Sequence, residues 1–128
     1  MEVVAFGSGV MSKRQRSQEK STGVMALPKA KEIVSANPVV VFSKSYCPFC
    51  KKVKKLLSEL EVNYKAVELD QEEDGGEVQA ALGEWTGQKT VPNVFIGGNH
   101  IGGCDKTMAV HGEGKLVPLL IQAGAIKA

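Results

Sequence analysis

The sequence predicts an α/β domain in which helices flank a four-stranded mixed sheet. Its strongest strand signal is the apolar, β-branched run Val39–Ser43, which is typical of a strand buried on both faces. Segments with the 3.6-residue period of amphipathic helices lie on both sides of this run. Further along the chain, Gly97-Gly98-Asn99 joins two short apolar runs and is a hairpin signal. A βαβ unit followed by a hairpin and helices builds a sheet with helices on its faces.

The first half of the chain supplies the first helix, strand and helix. Apolar residues at helical spacing predict a helix from Met25 that ends at Asn37-Pro38. Its apolar positions are Leu27, Ala30 and Val34. The strand Val39–Ser43 follows, and Pro48 then suits the first position of a second helix. The apolar positions of that helix are Val53, Leu56, Leu57 and Leu60.

The second half supplies the remaining strands and helices. Residues Tyr64 to Asp70 alternate in polarity and predict a strand, with Val67 and Leu69 on one face. A third helix is predicted from the spacing of Val78, Ala81, Leu82 and Trp85. The hairpin strands are Asn93 to Ile96 and His100-Ile101, and a helix near Asp105 to Val110 follows. The last helix contains Leu116, Leu119, Leu120 and Ile121, and it tolerates Pro118 only in its first turn.

The size and charge of the chain narrow its class. With 128 residues, 43% apolar and 23% charged, it has the make-up of one globular domain. No apolar run exceeds four residues, far below the roughly 20 that span a bilayer, so we expect no membrane partner. Residues 25–128 hold 12 basic and 12 acidic side chains. A neutral body argues against nucleic acid as a partner.

Residues 1–24 differ in composition from the rest. They mix Ser, Gly, Gln and basic residues without a helical or alternating period, which predicts a disordered N-terminal extension before a domain at 25–128. A transit peptide, a vector-derived segment and an upstream start before Met11 or Met25 all fit this segment.

The chemistry centres on Cys47-Pro48-Phe49-Cys50, which follows a buried strand and opens a helix. A thiol reacts as its thiolate, and a helix N-terminus lowers the pKa of a cysteine there. Lys44 and the lysines of the helix add positive potential, so we expect a lowered pKa for Cys47. Cys50 lies one turn further in, and we expect it to be less exposed and to close a disulfide onto Cys47. The lysines of that helix are Lys51, Lys52, Lys54 and Lys55.

A Cys-x-x-Cys pair is also half of a zinc site. A structural zinc site needs four ligands, and the further candidates have no paired spacing in the sequence. These candidates are Cys104, His100 and His111. We therefore expect no metal.

The chain carries three motifs in register: Lys44-Ser45-Tyr46-Cys47-Pro48-Phe49-Cys50, Thr90-Val91-Pro92 and Gly102-Gly103-Cys104-Asp105. Together they resemble a dithiol glutaredoxin of the plant type. The segments Trp85-Thr86-Gly87-Gln88 and Asn93-Val94-Phe95-Ile96-Gly97-Gly98 look like the plant branch. The resemblance runs from about Met25 to the C-terminus. It implies a thioredoxin-like fold, a cis Val91–Pro92 bond and two glutathione-binding motifs.

The resemblance also implies how glutathione, a tripeptide with two carboxylates, would be bound. Thr90, Val91 and Pro92 form one motif, in which the Val91 backbone pairs with the cysteinyl part. Cationic and N–H groups at the two ends of a groove would hold the carboxylates. The candidates are Lys44, Gln88 and Lys89 for the glycine end, Gly103, Cys104 and Asp105 for the γ-glutamyl end, and Phe49 as a wall. Alternatively, Lys44 and Lys89 are solvated surface charges, and Asp105 is only a helix N-cap.

Three residues depart from the family pattern. Lys89 stands where the family often has arginine, and it loses the bidentate fork. Lys106 stands where many relatives carry a second acid, and Phe49 replaces a commoner tyrosine. We expect changed affinity for glutathione rather than lost activity. For Cys104 we weigh a small semi-buried residue against a site of glutathionylation or intermolecular disulfide formation.

The resemblance predicts a glutathione-dependent thiol–disulfide oxidoreductase. Cys47 would attack protein–glutathione mixed disulfides alone, or protein disulfides together with Cys50. Expected partners are glutathione, glutathionylated and disulfide-containing proteins and, indirectly, glutathione reductase. We expect a monomer in the cytoplasm, since a reducing compartment suits the pair, with organelle import through residues 1–24 left open.

Two rival functions are considered. One is a dimer that binds a [2Fe–2S] cluster with glutathione, against which the stiff Pro48 argues. A thioredoxin-type reductase is disfavoured because the Trp-Cys-Gly-Pro-Cys pattern is missing.

Overall fold

The computed structural model describes residues 23–126, and the elements follow the predicted order. The helices are α1 (Gly23–Ala36), α2 (Pro48–Glu59), α3 (Gly75–Thr86), α4 (Cys104–Gly112) and α5 (Leu116–Gln122). The strands are β1 (Val39–Ser43), β2 (Lys65–Glu68), β3 (Asn93–Ile96) and β4 (Asn99–Gly102). The predicted N-terminal extension lies outside the described residues, except that α1 begins at Gly23.

The four strands form one mixed sheet in the order β2-β1-β3-β4. Strand β1 pairs with β2 in parallel and with β3 antiparallel, and β3 pairs antiparallel with β4. All five residues of β1 are buried, as predicted for a central strand. Because the hairpin turn needs positive φ at both positions, glycine suits Gly97 (φ 59°) and Gly98 (φ 83°).

Each face of the sheet packs against its own layer of helices. Val39 and Val41 point from β1 into one core, with α2 and α5, whereas Val40 and Phe42 point into the other, with α1 and α3. This is the period-two alternation of a strand. The largest fully buried side chains in the two cores are Phe42, Phe95, Leu57, Leu82, Leu116 and Leu120.

Two prolines lie within helices. Pro118 is the third residue of α5, in the first turn as predicted. Pro28 lies inside α1, where its missing N–H removes one hydrogen bond of the helix. The core contacts of Ala26 and Ala30 hold α1 against the sheet around that point.

No helix within residues 23–126 has the length and apolar character needed to cross a membrane.

Candidate active site

Cys47 caps the N-terminus of α2. Its Sγ accepts a hydrogen bond from the backbone N–H of Cys50 at 3.3 Å, and Pro48 occupies the first helical position. Cys47 is partly exposed, whereas Cys50 is fully buried one turn further along the helix. The structure therefore confirms the predicted order of one accessible thiol with a buried thiol behind it.

The surroundings of the two thiols move their pKa values apart. Burial alone would raise the pKa of Cys47. Hydrogen bonds from the Cys50 thiol and from the backbone of Cys50 and Phe49, together with the charge of Lys54, lower it overall. Burial and the hydrogen bond with Cys47 raise the pKa of Cys50 to about 11. The lowered pKa predicted for Cys47 is confirmed, and the lysine charge that acts on it is that of Lys54.

The loop before β3 faces Cys47. Its Val91–Pro92 bond is cis, as the resemblance implied. The Val91 carbonyl oxygen lies 3.9 Å from Cys47 Sγ. The Gln88 side chain donates hydrogen bonds to the carbonyl oxygens of Thr90 (3.1 Å) and Pro92 (2.9 Å). Gln88 thus ties the loop together on both sides of Val91.

An open cleft of about 390 Å³ lies beside this loop and the start of α4. Its lining residues are Phe49, Gln88, Thr90, Val91, Pro92, Gly103, Cys104, Asp105 and Lys106. The first eight were predicted from the sequence, and they come together here. Lys44 and Lys89 are not among the lining residues, and the aliphatic chain of Lys89 lies against Gly83.

The far end of the cleft is the N-terminus of α4. Gly103 is the N-cap, and Asp105 lies in the first turn, exposed to solvent. Asp105 is therefore not the N-cap that sequence reasoning weighed as its alternative role. Cys104 is only 7% exposed, and burial raises its pKa. Lys106 lines the cleft as well, whereas Lys44 and Lys89, the two lysines predicted for the groove, do not.

Sequence reasoning missed several polar groups that support the motif. The Asp70 carboxylate accepts hydrogen bonds from both the backbone N–H and the hydroxyl of Ser45, two residues before Cys47. Ser43 donates to Glu68, which pairs with Lys54. The parallel register of β1 with β2 places Ser43 opposite Glu68, and the sequence pattern alone does not reveal this register.

Within residues 23–126, no group of three or more His, Cys, Asp or Glu side chains is arranged to hold a metal ion.

Comparison with known proteins agrees with this arrangement. The glutaredoxin family model matches residues 39–101. The chain is 66% identical over 115 residues to "Glutaredoxin-C4, chloroplastic" of Oryza sativa subsp. japonica, covering 90% of this chain and 86% of that protein.

Two solved structures are also similar. A buckwheat glutaredoxin–glutathione complex shares 60% identity at a TM-score of 0.80, covering 81% of this chain and 94% of that chain. The holo form of glutaredoxin C1 from Populus tremula x tremuloides shares 56% identity at a TM-score of 0.76, covering 77% and 98%. These neighbours have the thioredoxin-like fold, which confirms the predicted fold class.

Proposed function

Because this chain belongs to the glutaredoxin family and is a thiol–disulfide oxidoreductase, we propose that it uses glutathione to reduce both protein–glutathione mixed disulfides and protein disulfides. One observation carries this proposal. A partly exposed thiol with a lowered pKa lies 3.9 Å from the carbonyl oxygen of Val91, which lines the cleft, and a buried thiol with a raised pKa lies one helical turn further in. Such a pair supplies one attacking sulfur and one resolving sulfur.

The monothiol route uses Cys47 alone. Its thiolate attacks the glutathione sulfur of a mixed disulfide, and the protein thiol leaves as Cys47 takes up glutathione. A second glutathione then attacks that sulfur, so glutathione disulfide leaves and the Cys47 thiolate returns. Its lowered pKa favours Cys47 both as attacking thiolate and as leaving group.

The dithiol route needs Cys50 as well. Cys47 attacks a protein disulfide, and Cys50 then attacks the Cys47 sulfur of the resulting mixed disulfide. The substrate leaves as a dithiol, and two glutathione molecules reduce the Cys47–Cys50 bond. The short Cys47 Sγ to Cys50 N–H contact keeps the two residues adjacent for this step.

The cleft offers a subsite to each part of glutathione. The backbone of Val91 faces Cys47 and suits the cysteinyl unit, while Phe49 walls the groove at 59% exposure. The start of α4, with the backbone N–H groups of Cys104 and Asp105, suits the γ-glutamyl carboxylate. For the glycine end we propose Gln88 with Thr90 and Pro92 beside it, and Lys44 and Lys89 at the rim. Support comes from the glutathione complex of the buckwheat relative.

The test is a coupled assay that follows NADPH consumption with glutathione, glutathione reductase and either a glutathionylated protein or a protein disulfide. Cys47→Ser is expected to abolish turnover of both substrates. Cys50→Ser is expected to keep deglutathionylation and to lose most reduction of the protein disulfide. Turnover near wild type in Cys47→Ser would overturn the assignment, and loss of both activities in Cys50→Ser would remove the monothiol route.

The second candidate is a dimer that holds a [2Fe–2S] cluster with glutathione as a ligand. The holo form of the poplar relative is the observation in its favour. Against it, Pro48 occupies the turn next to Cys47 and stiffens it. Iron and sulfide analysis of protein purified without oxygen, together with its mass in solution, separates the two. An iron-dependent dimer would favour the cluster, and an iron-free monomer the reductase.

We propose the cytoplasm as the compartment, with import through residues 1–24 as the rival. The relative from Oryza sativa is named chloroplastic, and its 115 matched residues exceed the 104 of positions 25–128. Part of the N-terminal extension is therefore shared with that protein. A fluorescent protein fused to the C-terminus of the full chain tests this: diffuse signal supports the cytoplasm, and organellar signal supports import.

A further inference from the structure

A chain of hydrogen bonds runs from β4 to the loop before β3. His100 Nε2 lies 2.7 Å from Asn93 Oδ1. Asn93 Nδ2 donates to the Gln88 carbonyl oxygen at 3.3 Å. The Gln88 side chain in turn donates to the carbonyl oxygens of Thr90 (3.1 Å) and Pro92 (2.9 Å). Neither His100 nor Asn93 lines the cleft, so the chain reaches the loop from outside it.

Asn93 is the buried link of this chain, with only 1% of its surface exposed. A buried amide needs a partner at each end, because an unpaired polar group in the interior costs free energy. The Gln88 carbonyl oxygen only accepts, so the amide nitrogen of Asn93 faces Gln88 and the amide oxygen faces His100. His100 Nε2 must therefore carry a hydrogen and donate it to Asn93.

The imidazole that supplies this hydrogen is held by aromatic packing. His100 lies opposite Phe95 in the pairing of β3 with β4, and the two ring centroids are 5.1 Å apart. Phe95 stacks on Trp85 at 5.0 Å and meets Phe42 edge-on at 5.8 Å. Partial burial lowers the pKa of His100, so a neutral ring with one hydrogen prevails at neutral pH. The donor is thus fixed in place although β4 is an outer strand.

Gln88 is the point where this chain meets the cleft. Its side chain ties Thr90 and Pro92 on the two sides of Val91, and the Val91 carbonyl oxygen lies 3.9 Å from Cys47 Sγ. In the proposed function, the Val91 backbone pairs with the cysteinyl unit of glutathione. Groups that are already in place when a ligand arrives bind it more tightly, because no free energy is lost in ordering them.

We propose that His100 and Asn93 are positioning residues for glutathione binding. They fix Gln88 from outside the cleft, and Gln88 fixes the backbone on both sides of Val91. Neither side chain has to touch glutathione itself. This inference rests on the proposed glutathione site. It predicts that loss of the His100 donor weakens the hold on the tripeptide and leaves the sulfur chemistry of Cys47 unchanged.

The experiment compares two mixed disulfides of Cys47 in a Cys50→Ser background, in which Cys50 cannot resolve them. Glutathione disulfide transfers a glutathionyl group to Cys47 and releases one glutathione. Hydroxyethyl disulfide transfers the smaller hydroxyethylthio group and releases one mercaptoethanol. Intact-mass analysis in buffers of set thiol-to-disulfide ratio gives the equilibrium constant of each exchange. Only the glutathionyl group carries the tripeptide, so the ratio of the two constants measures the glutathione preference of the cleft.

Two substitutions separate the hydrogen bond of His100 from its ring. His100→Phe keeps a ring against Phe95 but has no donor, whereas His100→Gln keeps a donor N–H and loses the ring. We expect His100→Phe to lower the glutathione preference by about fivefold, the size of one hydrogen bond, and His100→Gln to retain most of it. His111→Phe, the same change in the last turn of α4, is the matched control and is expected to alter neither constant.

The outcomes separate the hydrogen-bond chain from packing and from the glutathione site itself. Equal losses in His100→Phe and His100→Gln would assign the effect to the ring and overturn the proposal. A parallel fall in the hydroxyethyl constant would mean general damage at Cys47 and would also overturn it. An unchanged preference in His100→Phe would overturn it with the glutathione site intact. Absence of any preference from the Cys50→Ser parent would overturn both.

Two further measurements test the order of the chain. If His100 acts through Asn93, His100→Phe lowers the preference no further in an Asn93→Leu background, and multiplied effects would overturn the proposal. Nitrogen NMR at neutral pH is expected to show the Nε2–H tautomer of His100. The Nδ1–H tautomer would reverse the contact with Asn93 and break the chain.

Discussion

At the scale of single residues, the division of labour between the two thiols comes from where each lies on α2. Cys47 precedes the helix, where unpaired N–H groups face its sulfur, and Cys50 is inside the first turn. The sequence predicted this much because the motif is local. The sequence did not predict which lysine lowers the pKa of Cys47, since five lysines lie within residues 44–55. The fold shows that it is Lys54 whose charge acts on the Cys47 thiol.

The lowered pKa of Cys47 predicts the pH dependence of its reactivity. The thiolate reacts with iodoacetamide and the thiol does not, so the rate rises with pH through the pKa. We expect the midpoint below the ordinary thiol pKa of about 8.5. Lys54→Gln removes a positive charge that lowers this pKa, so its midpoint is expected to move up.

The control is Lys65→Gln, which loses the same charge on β2. A wild-type midpoint at or above the ordinary thiol pKa would contradict the first prediction. Equal midpoints for wild type and Lys54→Gln would show that the helix terminus acts without the lysine.

Single residues also show what the sequence left undetermined in the site. Lys89 was predicted, as a cation where the family often has arginine, to hold the glycine-end carboxylate of glutathione. In the fold its chain lies against Gly83, because the missing side chain there leaves room on α3. Gly83 lies six residues before Lys89 in the sequence. The two residues come together because the chain turns where α3 ends. Lys106 is the opposite case. It was not assigned to glutathione from the sequence, yet it lines the cleft.

At the scale of elements, boundaries were predictable where a strand meets proline or glycine. Strand β1 begins after Pro38, and β3 ends before Gly97, as predicted. For β2 the alternating pattern ran from Tyr64 to Asp70, but the strand covers only Lys65–Glu68. Strand β2 pairs with the four β1 residues Val40–Ser43. Because β1 ends at Ser43, the pairing of β2 ends opposite it, at Glu68. Strand length depends here on a neighbour that periodicity does not reveal.

The start of α3 offers a matched pair of substitutions. A Cβ on the buried Gly75 would lie 1.8 Å from the Leu69 carbonyl oxygen, whereas one on Gly76 meets nothing within 4 Å. Gly75→Ala therefore forces backbone to move and is expected to lower the free energy of unfolding by about 2–3 kcal/mol. Gly76→Ala is expected to raise it by up to about 1 kcal/mol, because alanine favours helix.

Urea unfolding followed by circular dichroism measures both substitutions. If Gly75→Ala were as stable as Gly76→Ala, the close approach of α3 to Leu69 would not constrain the fold.

At the scale of the whole molecule, one sheet separates two cores, and their cooperativity can be measured. Leu57 belongs to the core with α2 and Leu82 to the core with α1 and α3. Each Leu→Ala change is expected to cost about 2–5 kcal/mol of unfolding free energy. Trp85, the only tryptophan, packs against the second core. Because β1 and β3 contribute to both cores, we expect Leu57→Ala to shift the Trp85 fluorescence and circular dichroism transitions equally.

Met25→Ala, at a residue that is 70% exposed, serves as the control and is expected to change little. Separate transitions for the two probes in Leu57→Ala would mean that the layers unfold independently.

The order of the strands also has a consequence for contact between molecules. In the described part of the chain, β2 and β4 are the outer strands, and each is only four residues long. Such short borders give an incoming strand few backbone partners. Lys65 on β2 and the exposed Asn99 and His100 on β4 add charge and polarity there. Short, polar edge strands are how native sheets discourage aggregation by strand addition. At high concentration, pairing between the edge strands of neighbouring molecules is therefore disfavoured.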